Sequence, residues 1–222
     1  METNGFKINF LGDSITEGVG VSTKDKLYHA LLKEEMGWSQ ARNYGISGTR
    51  FALQKGTPEC PKNDYVDVNS FSERFADMDD DADMVVVFGG TNDYGHGDAP
   101  IGGFSDRTPD TFYGACHYLF SGLVKKYLGK PVVIMTPLHR SCEFSNVGSC
   151  KPDGVATLRE YVNIIREVAE YYSLPVLDLY ATSGIQPAIE EVKNAYMPDG
   201  LHPNDAGHRI IADKLKSFIK NM

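Results

Sequence analysis

Ser14 stands at a point in the sequence that suits a nucleophile. It follows the short apolar run Lys7 to Leu11, where a strand must turn towards a helix. A side chain at such a turn is exposed, and the backbone N–H groups that follow it are unpaired. The alternative is that Asp13 and Ser14 only cap the next helix. A serine nucleophile also needs a neutral base to accept its proton and a third group to orient that base.

His202 is the histidine that best fits the role of this base. It lies in Asp199-Gly200-Leu201-His202-Pro203, between two prolines and just before the last predicted helix. A turn fixed by these prolines could fold the Asp199 carboxylate back towards the imidazole. The alternative is that Asp199 forms a turn and His202 is a surface residue. His29 and His117 lie inside amphipathic stretches, where a structural or surface role is expected.

Two further residues could stabilise the oxyanion that forms when a serine attacks an ester. Asn92 follows an apolar run, and its short amide can donate a hydrogen bond to a developing oxyanion. Backbone N–H groups near Ser14 and Gly48 supply further donors, and a Cβ at position 48 would crowd the substrate carbonyl. Each residue also has a simpler explanation. Asn92-Asp93 is a good turn, and Gly45 or Gly48 can serve only to permit a tight backbone.

The chain alternates short apolar runs with longer amphipathic stretches, which predicts an α/β fold. The apolar runs lack strict alternation, as expected when helices cover both faces of a parallel sheet. The predicted strands are Lys7 to Leu11, Arg42 to Tyr44, Met84 to Gly89, Val132 to Thr136 and Val176 to Leu179. The predicted helices are Lys26 to Met36, Phe71 to Ala76, Pro109 to Tyr127, Val155 to Tyr172 and Pro203 to Lys220. Because an open parallel sheet binds ligands at the carboxyl ends of its strands, Ser14, Gly48 and Asn92 should meet there.

Three irregular segments are long for the loops of a compact domain, and loops of this size are often functional. They are Phe51 to Val68, Tyr94 to Thr108 and His139 to Gly154. We expect them to set substrate specificity. The residues predicted to contact substrate are Asp13, beside the nucleophile, and Tyr94, His96, His139 and Arg140, near the starts of the second and third segments.

Length and charge argue against several classes of protein. A chain of 222 residues without a linker or a shift in composition predicts one domain, 1–222. Its formal net charge of −8 at pH 7 argues against nucleic acid and anionic membranes as partners. No apolar run approaches the length of a membrane span, and Met1 to Phe10 lacks the pattern of an export signal.

The cysteines give information about location and metal binding. The four of them, Cys60, Cys116, Cys142 and Cys150, form no dense framework and no C-x-x-C motif, which favours reduced thiols and a cytoplasmic location. Pairing of Cys142 with Cys150 stays open. A metal site built from His139, Cys142 and Cys150 matches no common zinc spacing, so no metal is predicted.

Together, these segments resemble the SGNH hydrolase family, also called GDSL esterases and lipases. The matching segments occur in family order between positions 8 and 208: Gly12-Asp13-Ser14, Gly48, Gly90-Thr91-Asn92-Asp93 and Asp199-Gly200-Leu201-His202-Pro203. The resemblance implies a three-layer α/β/α, flavodoxin-like sandwich with a five-stranded parallel sheet. The absence of Gly-x-Ser-x-Gly argues against the larger α/β-hydrolase fold.

The resemblance also implies roles for individual residues. Ser14, Asp199 and His202 would form a catalytic triad, and the oxyanion hole would consist of the Ser14 and Gly48 N–H groups and the Asn92 amide. Gly45 is the alternative to Gly48. Such a triad transfers an acyl group to serine and then to water, and it requires no cofactor or metal.

The expected activity is hydrolysis of short-chain carboxylic esters, because a small chain without a large apolar lid favours acyl groups such as acetate. The expected substrate is a small-molecule ester, with an acetylated sugar or glycoside preferred. Three alternatives stay open: a lipase, thioesterase or lysophospholipase acting on longer acyl chains, a non-catalytic carbohydrate-binding member, and a flavin or nucleotide binder. The missing Gly-Lys-Ser/Thr and Gly-x-Gly-x-x-Gly motifs argue against the last. The oligomeric state is open, with a homodimer as one option.

Overall fold

A computed structural model describes residues 1–56, 69–144 and 156–222 and contains a five-stranded parallel sheet. The strands are β1 (Lys7–Gly12), β2 (Gln40–Gly45), β3 (Met84–Phe88), β4 (Val132–Met135) and β5 (Val176–Leu177). Their order in the sheet is β2-β1-β3-β4-β5, and every neighbouring pair is parallel. The α/β class and the five-stranded parallel sheet predicted from the sequence are confirmed.

Helices connect the strands along the described part of the chain. They are α1 (Ser14–Glu17), α2 (Tyr28–Met36), α3 (Phe71–Arg74), α4 (Thr91–His96), α5 (Phe112–Lys126), α6 (Leu158–Tyr171), α7 (Leu179–Thr182), α8 (Glu190–Tyr196) and α9 (Asp205–Asn221). Single 3₁₀ turns at Lys24–Lys26 and Phe75–Asp77 precede α2 and follow α3. None of these helices is long and apolar enough to cross a membrane.

The sheet is the middle layer of an α/β/α sandwich, because its two faces are covered by different helices. In β3, Val85 and Val87 face the layer that contains α5 and α6, whereas Met84, Val86 and Phe88 face the layer that contains α2 and α9. All five side chains are buried. Burial on both faces explains why the strand has no polar alternate positions.

The long helices begin later than the sequence pattern predicts, because capping side chains set their first turns. Thr111 accepts a hydrogen bond from the Gly114 N–H at the start of α5, and Asn204 does the same for Gly207 in α9. A capping box formed with Thr157 starts α6. These positions exclude the prolines and the loop residues that the predicted helices include.

Four short helices were not predicted: α1, α4, α7 and α8. The predicted loop Tyr94 to Thr108 is wrong at its start, because Tyr94 to His96 belong to α4. The predicted irregular segments Phe51 to Val68 and His139 to Gly154 lie partly outside the described residues. Cys60 and Cys150 lie wholly outside them, and with Cys150 the predicted alternative of a Cys142–Cys150 pair.

Candidate active site

The ends of three adjacent strands lie side by side at one edge of the sheet. Gly12, the last residue of β1, is in register with Gly45 at the end of β2 and with Phe88 at the end of β3. The segments that follow these strands carry Ser14, Gly48 and Asn92. The topology therefore brings the three predicted segments to one end of the sheet, as expected for a parallel α/β fold.

Two glycines allow α1 to turn tightly over the strand ends. A Cβ at Gly12 would lie 1.9 Å from the Thr16 Oγ1 atom, and one at Gly45 would lie 2.2 Å from the Glu17 backbone nitrogen. Ser14 is the first residue of α1, so its backbone N–H has no acceptor within the helix. The Asp13 side chain accepts a hydrogen bond from the Ile15 N–H at 3.0 Å and caps the helix.

Ser14, His202 and Asp199 form a continuous chain of hydrogen bonds. The Ser14 Oγ atom lies 3.0 Å from the His202 Nε2 atom, and the His202 Nδ1 atom lies 2.6 Å from the Asp199 Oδ2 atom. Because a carboxylate only accepts, the ring proton of a neutral His202 is on Nδ1, which leaves Nε2 to accept from the serine hydroxyl. This arrangement can remove a proton from Ser14.

The turn that carries the Asp/His pair is closed by its own backbone. The Asp199 Oδ1 atom accepts from the N–H groups of Leu201 at 2.8 Å and His202 at 2.7 Å, and Gly200 has a φ of +78°. Burial alone would raise the pKa of Asp199, but these hydrogen bonds and the one from the His202 ring hold it below its usual value. The side chain of Asp199 is nevertheless 53% exposed.

The loop that follows α1 contacts the segment next to His202. A Cβ at Gly20 would lie 2.5 Å from the Pro203 carbonyl oxygen. The Ser22 N–H donates to the Asp205 carboxylate at 2.8 Å, and the Ser22 hydroxyl donates to the same carboxylate at 2.6 Å. These contacts join the nucleophile end of the chain to the start of α9.

Gly48 lies in the turn that follows β2, and Asn92 on α4 contacts the next residue of this turn, Thr49. Gly48 has a φ of +78°, and its N–H has no acceptor within the described residues, whereas the Gly45 N–H donates to the Asn43 side chain at 2.8 Å. The Asn92 Nδ2 atom donates to the Thr49 carbonyl at 3.1 Å. The geometry therefore favours Gly48 over Gly45 as a backbone donor.

Arg74 is a residue that the sequence reasoning missed. Its guanidinium donates to the Gly12 carbonyl at 2.6 Å, to the Thr49 hydroxyl at 3.0 Å and to the Tyr44 carbonyl. It thus ties the ends of β1 and β2 to the turn at Gly48. Nothing in the sequence marks Arg74, because an arginine in a short amphipathic segment is most often a surface residue.

A small cavity lies between the residues that flank Ser14 and the ends of β3 and β4. Its volume of about 10 Å³ is close to the space that one water molecule needs. The walls are mainly apolar, with Asp13, His139 and Arg140 as the ionisable groups. The lining residues are Asp13, Ile15, Phe88, Gly89, Thr91, Pro137, Leu138, His139, Arg140 and Leu201.

His139 is fixed at this cavity by a buried carboxylate. Its Nδ1 atom lies 2.8 Å from both carboxylate oxygens of Glu143, whose side chain is 2% exposed. The imidazole packs on the Tyr180 ring, with 3.9 Å between ring centroids. The Nε2 atom makes no hydrogen bond within the described residues and is left for a ligand or solvent.

Arg140 is fixed beside it by neutral partners. Its Nη1 atom donates to the Thr91 carbonyl at 3.0 Å and to the Thr91 hydroxyl at 3.1 Å, and its guanidinium lies 5.5 Å from the centre of the Tyr94 ring. In the described part of the chain, no carboxylate forms an ion pair with it. Burial lowers the pKa of Arg140.

Tyr94 and His96 lie outside the lining of this cavity. The Tyr94 hydroxyl donates to the Cys142 carbonyl at 2.5 Å, and its ring packs edge-on against Tyr161. His96 contacts Asn92 and Arg50. Three of the residues predicted to contact substrate, Asp13, His139 and Arg140, line the same cavity. The other two, Tyr94 and His96, do not line it.

Asp13 is almost fully buried, with 2% of its surface exposed. Burial raises its pKa to about 6, although the hydrogen bond from Ile15 and the charges of His202 and Arg74 act in the opposite direction. The carboxyl group therefore changes charge near neutral pH at a position adjacent to the nucleophile. The described residues hold no group of three His, Cys, Asp or Glu side chains that could bind a metal.

Comparison with known proteins identifies relatives over almost the whole chain. Residues 10–210 match the GDSL-like lipase/acylhydrolase family. An acetylxylan esterase from Xylanibacter ruminicola is 26% identical over 232 residues, which cover 98% of this chain and 44% of that protein. The chain therefore spans less than half the length of this curated relative.

Solved structures share the fold. A protein from Lactobacillus plantarum is 32% identical and has a TM-score of 0.81, with 99% of this chain and 98% of that chain covered. The structure of an acetyl xylan esterase is 22% identical and has a TM-score of 0.61, covering 95% of this chain and 98% of that one. Because the sequence identity is only 22%, the similarity to the acetyl xylan esterase is evidence for the fold alone.

Proposed function

Because this chain belongs to the GDSL-like lipase/acylhydrolase family, a family of carboxylic ester hydrolases, we propose that it is a serine esterase for short acyl groups. Its preferred substrates are O-acetyl groups on a carbohydrate or small glycoside. The observation that carries the proposal is the hydrogen-bonded chain from Ser14 through His202 to Asp199 beside a cavity of about 10 Å³. No nucleic acid or membrane takes part in this reaction.

The proposed reaction starts with transfer of the Ser14 proton to His202 Nε2. The serine oxygen then forms a bond to the ester carbonyl carbon, and the carbonyl electron pair moves onto oxygen. The Ser14 and Gly48 N–H groups and the Asn92 amide stabilise this oxyanion. Asp199 keeps the ring proton on Nδ1 and stabilises the imidazolium.

The intermediate collapses with loss of the alcohol, which takes the proton from His202. Water then donates a proton to His202 and attacks the acyl-serine ester. A second tetrahedral intermediate breaks the bond to Ser14, releases the carboxylic acid and returns the proton to the serine oxygen. Every proton transfer in this sequence passes through His202.

The size of the cavity supports a short acyl group. Asp13 and Ile15, the neighbours of Ser14, line this cavity, and the proposal places the methyl group of the acetyl ester in it. A longer alkyl chain would displace Phe88, Pro137 or Leu138. These residues are well packed at the ends of β3 and β4. Acetate is therefore the acyl group that fits with least rearrangement.

The polar groups at the cavity support a hydroxyl-rich alcohol. Arg140 can donate hydrogen bonds, and the His139 Nε2 atom and an ionised Asp13 can accept them. Sugars present both donors and acceptors on each hydroxyl. The similarity to an acetylxylan esterase supports the same class of substrate for this chain.

A series of substrates tests the proposal. We expect kcat/KM on 4-nitrophenyl esters to be highest for acetate and to fall about tenfold or more by hexanoate, because one misfitting methylene costs about 10–200-fold. Acetate should also be released from acetylated xylo-oligosaccharides, and the Ser14→Ala variant should release none. A preference for dodecanoate would instead indicate a lipase or thioesterase, and sugar binding without hydrolysis would indicate a binding protein.

Arg140→Gln tests the alcohol side of the site. We expect it to reduce kcat/KM on acetylated xylo-oligosaccharides by about tenfold more than on 4-nitrophenyl acetate, because only the sugar loses a charged hydrogen bond. Loss of the Arg140 bonds to Thr91 in α4 affects both substrates. Arg159→Gln, on the exposed face of α6, is the control. Equal losses on both substrates would remove Arg140 from substrate recognition.

The cytoplasmic location and the oligomeric state stay predictions. Cell fractionation tests the location, and analytical sedimentation tests the oligomeric state.

A further inference from the structure

Helix α4 and the segment from Gly48 to Ala52 are connected by side chains from successive turns of the helix. The Asn92 Nδ2 atom donates to the Thr49 carbonyl at 3.1 Å. The Asp93 carboxylate accepts from the N–H groups of Phe51 and Ala52, both at 3.0 Å. We call these residues, together with Arg50 and His96, the α4 clamp.

The last contact of the clamp is between Arg50 and His96. The Arg50 Nη1 atom lies 2.8 Å from the His96 Nδ1 atom, and Arg50 is 5% exposed. A guanidinium only donates hydrogen bonds, so His96 Nδ1 must accept. A neutral His96 then carries its proton on Nε2.

The proton on Nε2 fixes the orientation of Asn92. His96 Nε2 lies 3.1 Å from the Asn92 Oδ1 atom, one helical turn away on the same face of α4. His96 therefore donates to the amide oxygen, while the amide nitrogen donates to Thr49. The second N–H of that amide has no acceptor within the described residues and is available for an oxyanion.

All donors in this chain of hydrogen bonds point in one direction. The hydrogen bonds run from the guanidinium of Arg50 through His96 and the Asn92 amide to the position where the oxyanion develops. Hydrogen bonds aligned in this way polarise one another, and a positive group at the start strengthens the donor at the end. The benefit is largest when negative charge forms on the substrate, which is in the transition state.

We propose that Arg50 and His96 are positioning residues of the oxyanion hole, which hold and polarise the Asn92 amide through the chain Arg50–His96–Asn92. The proposal rests on the proposed function, because it takes Asn92 to be an oxyanion donor. In this proposal His96 orients Asn92 and does not contact the substrate.

A double-mutant cycle tests this role. We expect His96→Leu to lower kcat on 4-nitrophenyl acetate about tenfold, the range for one hydrogen bond, with KM changed less than about twofold. His96→Gln, which keeps an N–H donor, should recover most of the loss. In an Asn92→Ala background, His96→Leu should lower kcat by less than about twofold, because the group it acts on is gone.

Equal losses from His96→Leu with and without Asn92 would overturn the proposal, since they would indicate a general structural role. A loss from His96→Gln as large as that from His96→Leu would overturn it as well. If His96→Leu does not fold, as judged by circular dichroism, His96→Phe, which also lacks an N–H donor, replaces it in the cycle. Full activity of Asn92→Ala with an inactive Ser14→Ala would contradict the oxyanion assignment and leave the esterase proposal intact.

Discussion

The two halves of the site are held in different ways. The Asp199–His202 turn forms its hydrogen bonds within three residues, and the Asp199 side chain is 53% exposed. The α4 clamp joins residues more than 40 positions apart, and Arg50, Asn92 and Asp93 are each at most 5% exposed. The Asp199–His202 turn is thus local in sequence and exposed to water, whereas the α4 clamp joins distant segments and is buried.

This difference has consequences for the energetics. In a solvated turn, water can partly replace a lost side chain, so removal of one partner costs little. In a buried clamp, a lost partner leaves a polar group without water, and a donor aimed at an oxyanion cannot be replaced. Loss of a buried oxyanion donor should therefore cost more than loss of the exposed Asp199.

The largest effects are expected at the two residues that exchange the proton. Ser14→Ala and His202→Ala should each lower kcat on 4-nitrophenyl acetate by about 10³-fold or more, because triad members act as a unit. The double variant should be little worse than either single one. Ser121→Ala, on the surface of α5, is the control. Near-wild-type hydrolysis by pure Ser14→Ala would remove it as the nucleophile.

The next largest effect tests the α4 clamp. Asn92→Ala should lower kcat by about 10²–10³-fold with little change in KM, the loss typical of one oxyanion donor. Steady-state kinetics on the acetate ester measure this. A loss below about threefold would show that the amide does not contact the oxyanion.

A smaller effect is expected for the exposed Asp199–His202 turn. Asp199→Ala should cost about 10–10²-fold less in kcat than His202→Ala does, because water can take the place of the exposed carboxylate beside His202. The measurement is the same as for Asn92→Ala, in the same buffer. If Asp199→Ala costs as much as His202→Ala, the contrast between the two halves does not hold for catalysis.

The smallest effect concerns stability and compares the two carboxyl groups near His202. Burial raises the folded-state pKa of Asp13 to about 6, so the folded protein binds its proton more tightly than the unfolded chain does. Stability is therefore lost as the pH rises from about 4 to above 6, by about 3 kcal/mol for two pH units. Hydrogen bonds lower the pKa of Asp199, whose contribution is instead lost as the pH falls.

Asp13→Asn should remove this penalty and keep the cap on α1. We expect thermal unfolding to shift upwards by about 6–12 °C at pH 8 and by about half as much at pH 5, where part of the penalty is already present. Asp199→Asn should show no gain at pH 8. Asp110→Asn, an exposed carboxylate far along the chain, controls for the loss of one charge. An equal gain from Asp13→Asn at both pH values would show that its ionisation does not affect folding.

The contrast also explains what could be predicted from the sequence. Most strands were predictable because their apolar runs bounded by glycine or proline are a local signal, whereas β2 (Gln40–Gly45) is mostly polar. The Asp199–His202 pair was predictable as a pair because its spacing and its turn lie in one short segment. Its hydrogen bond to Ser14 follows from the sheet topology, which the strand-helix alternation indicates.

The clamp could not be predicted because its partners are distant in sequence. Helix α4 starts after Gly90, which has a φ of +101°, and Thr91-Asn92-Asp93 is typical of a turn. Tertiary contacts stabilise the helix, including the hydrogen bonds from Arg140 to Thr91. The same reasoning placed His96 at the substrate, since nothing local indicates that Arg50 would orient its ring.

The contact between Ser14 and His202 has a consequence for how the chain folds. It joins residues 188 positions apart, and bringing such distant segments together is entropically costly and slow. α9, which follows His202, packs on the same face of the sheet as α1 and α2, so its docking brings the imidazole near the serine. During refolding, catalytic activity should therefore return after helical structure does, which makes hydrolysis a reporter of the last step of folding.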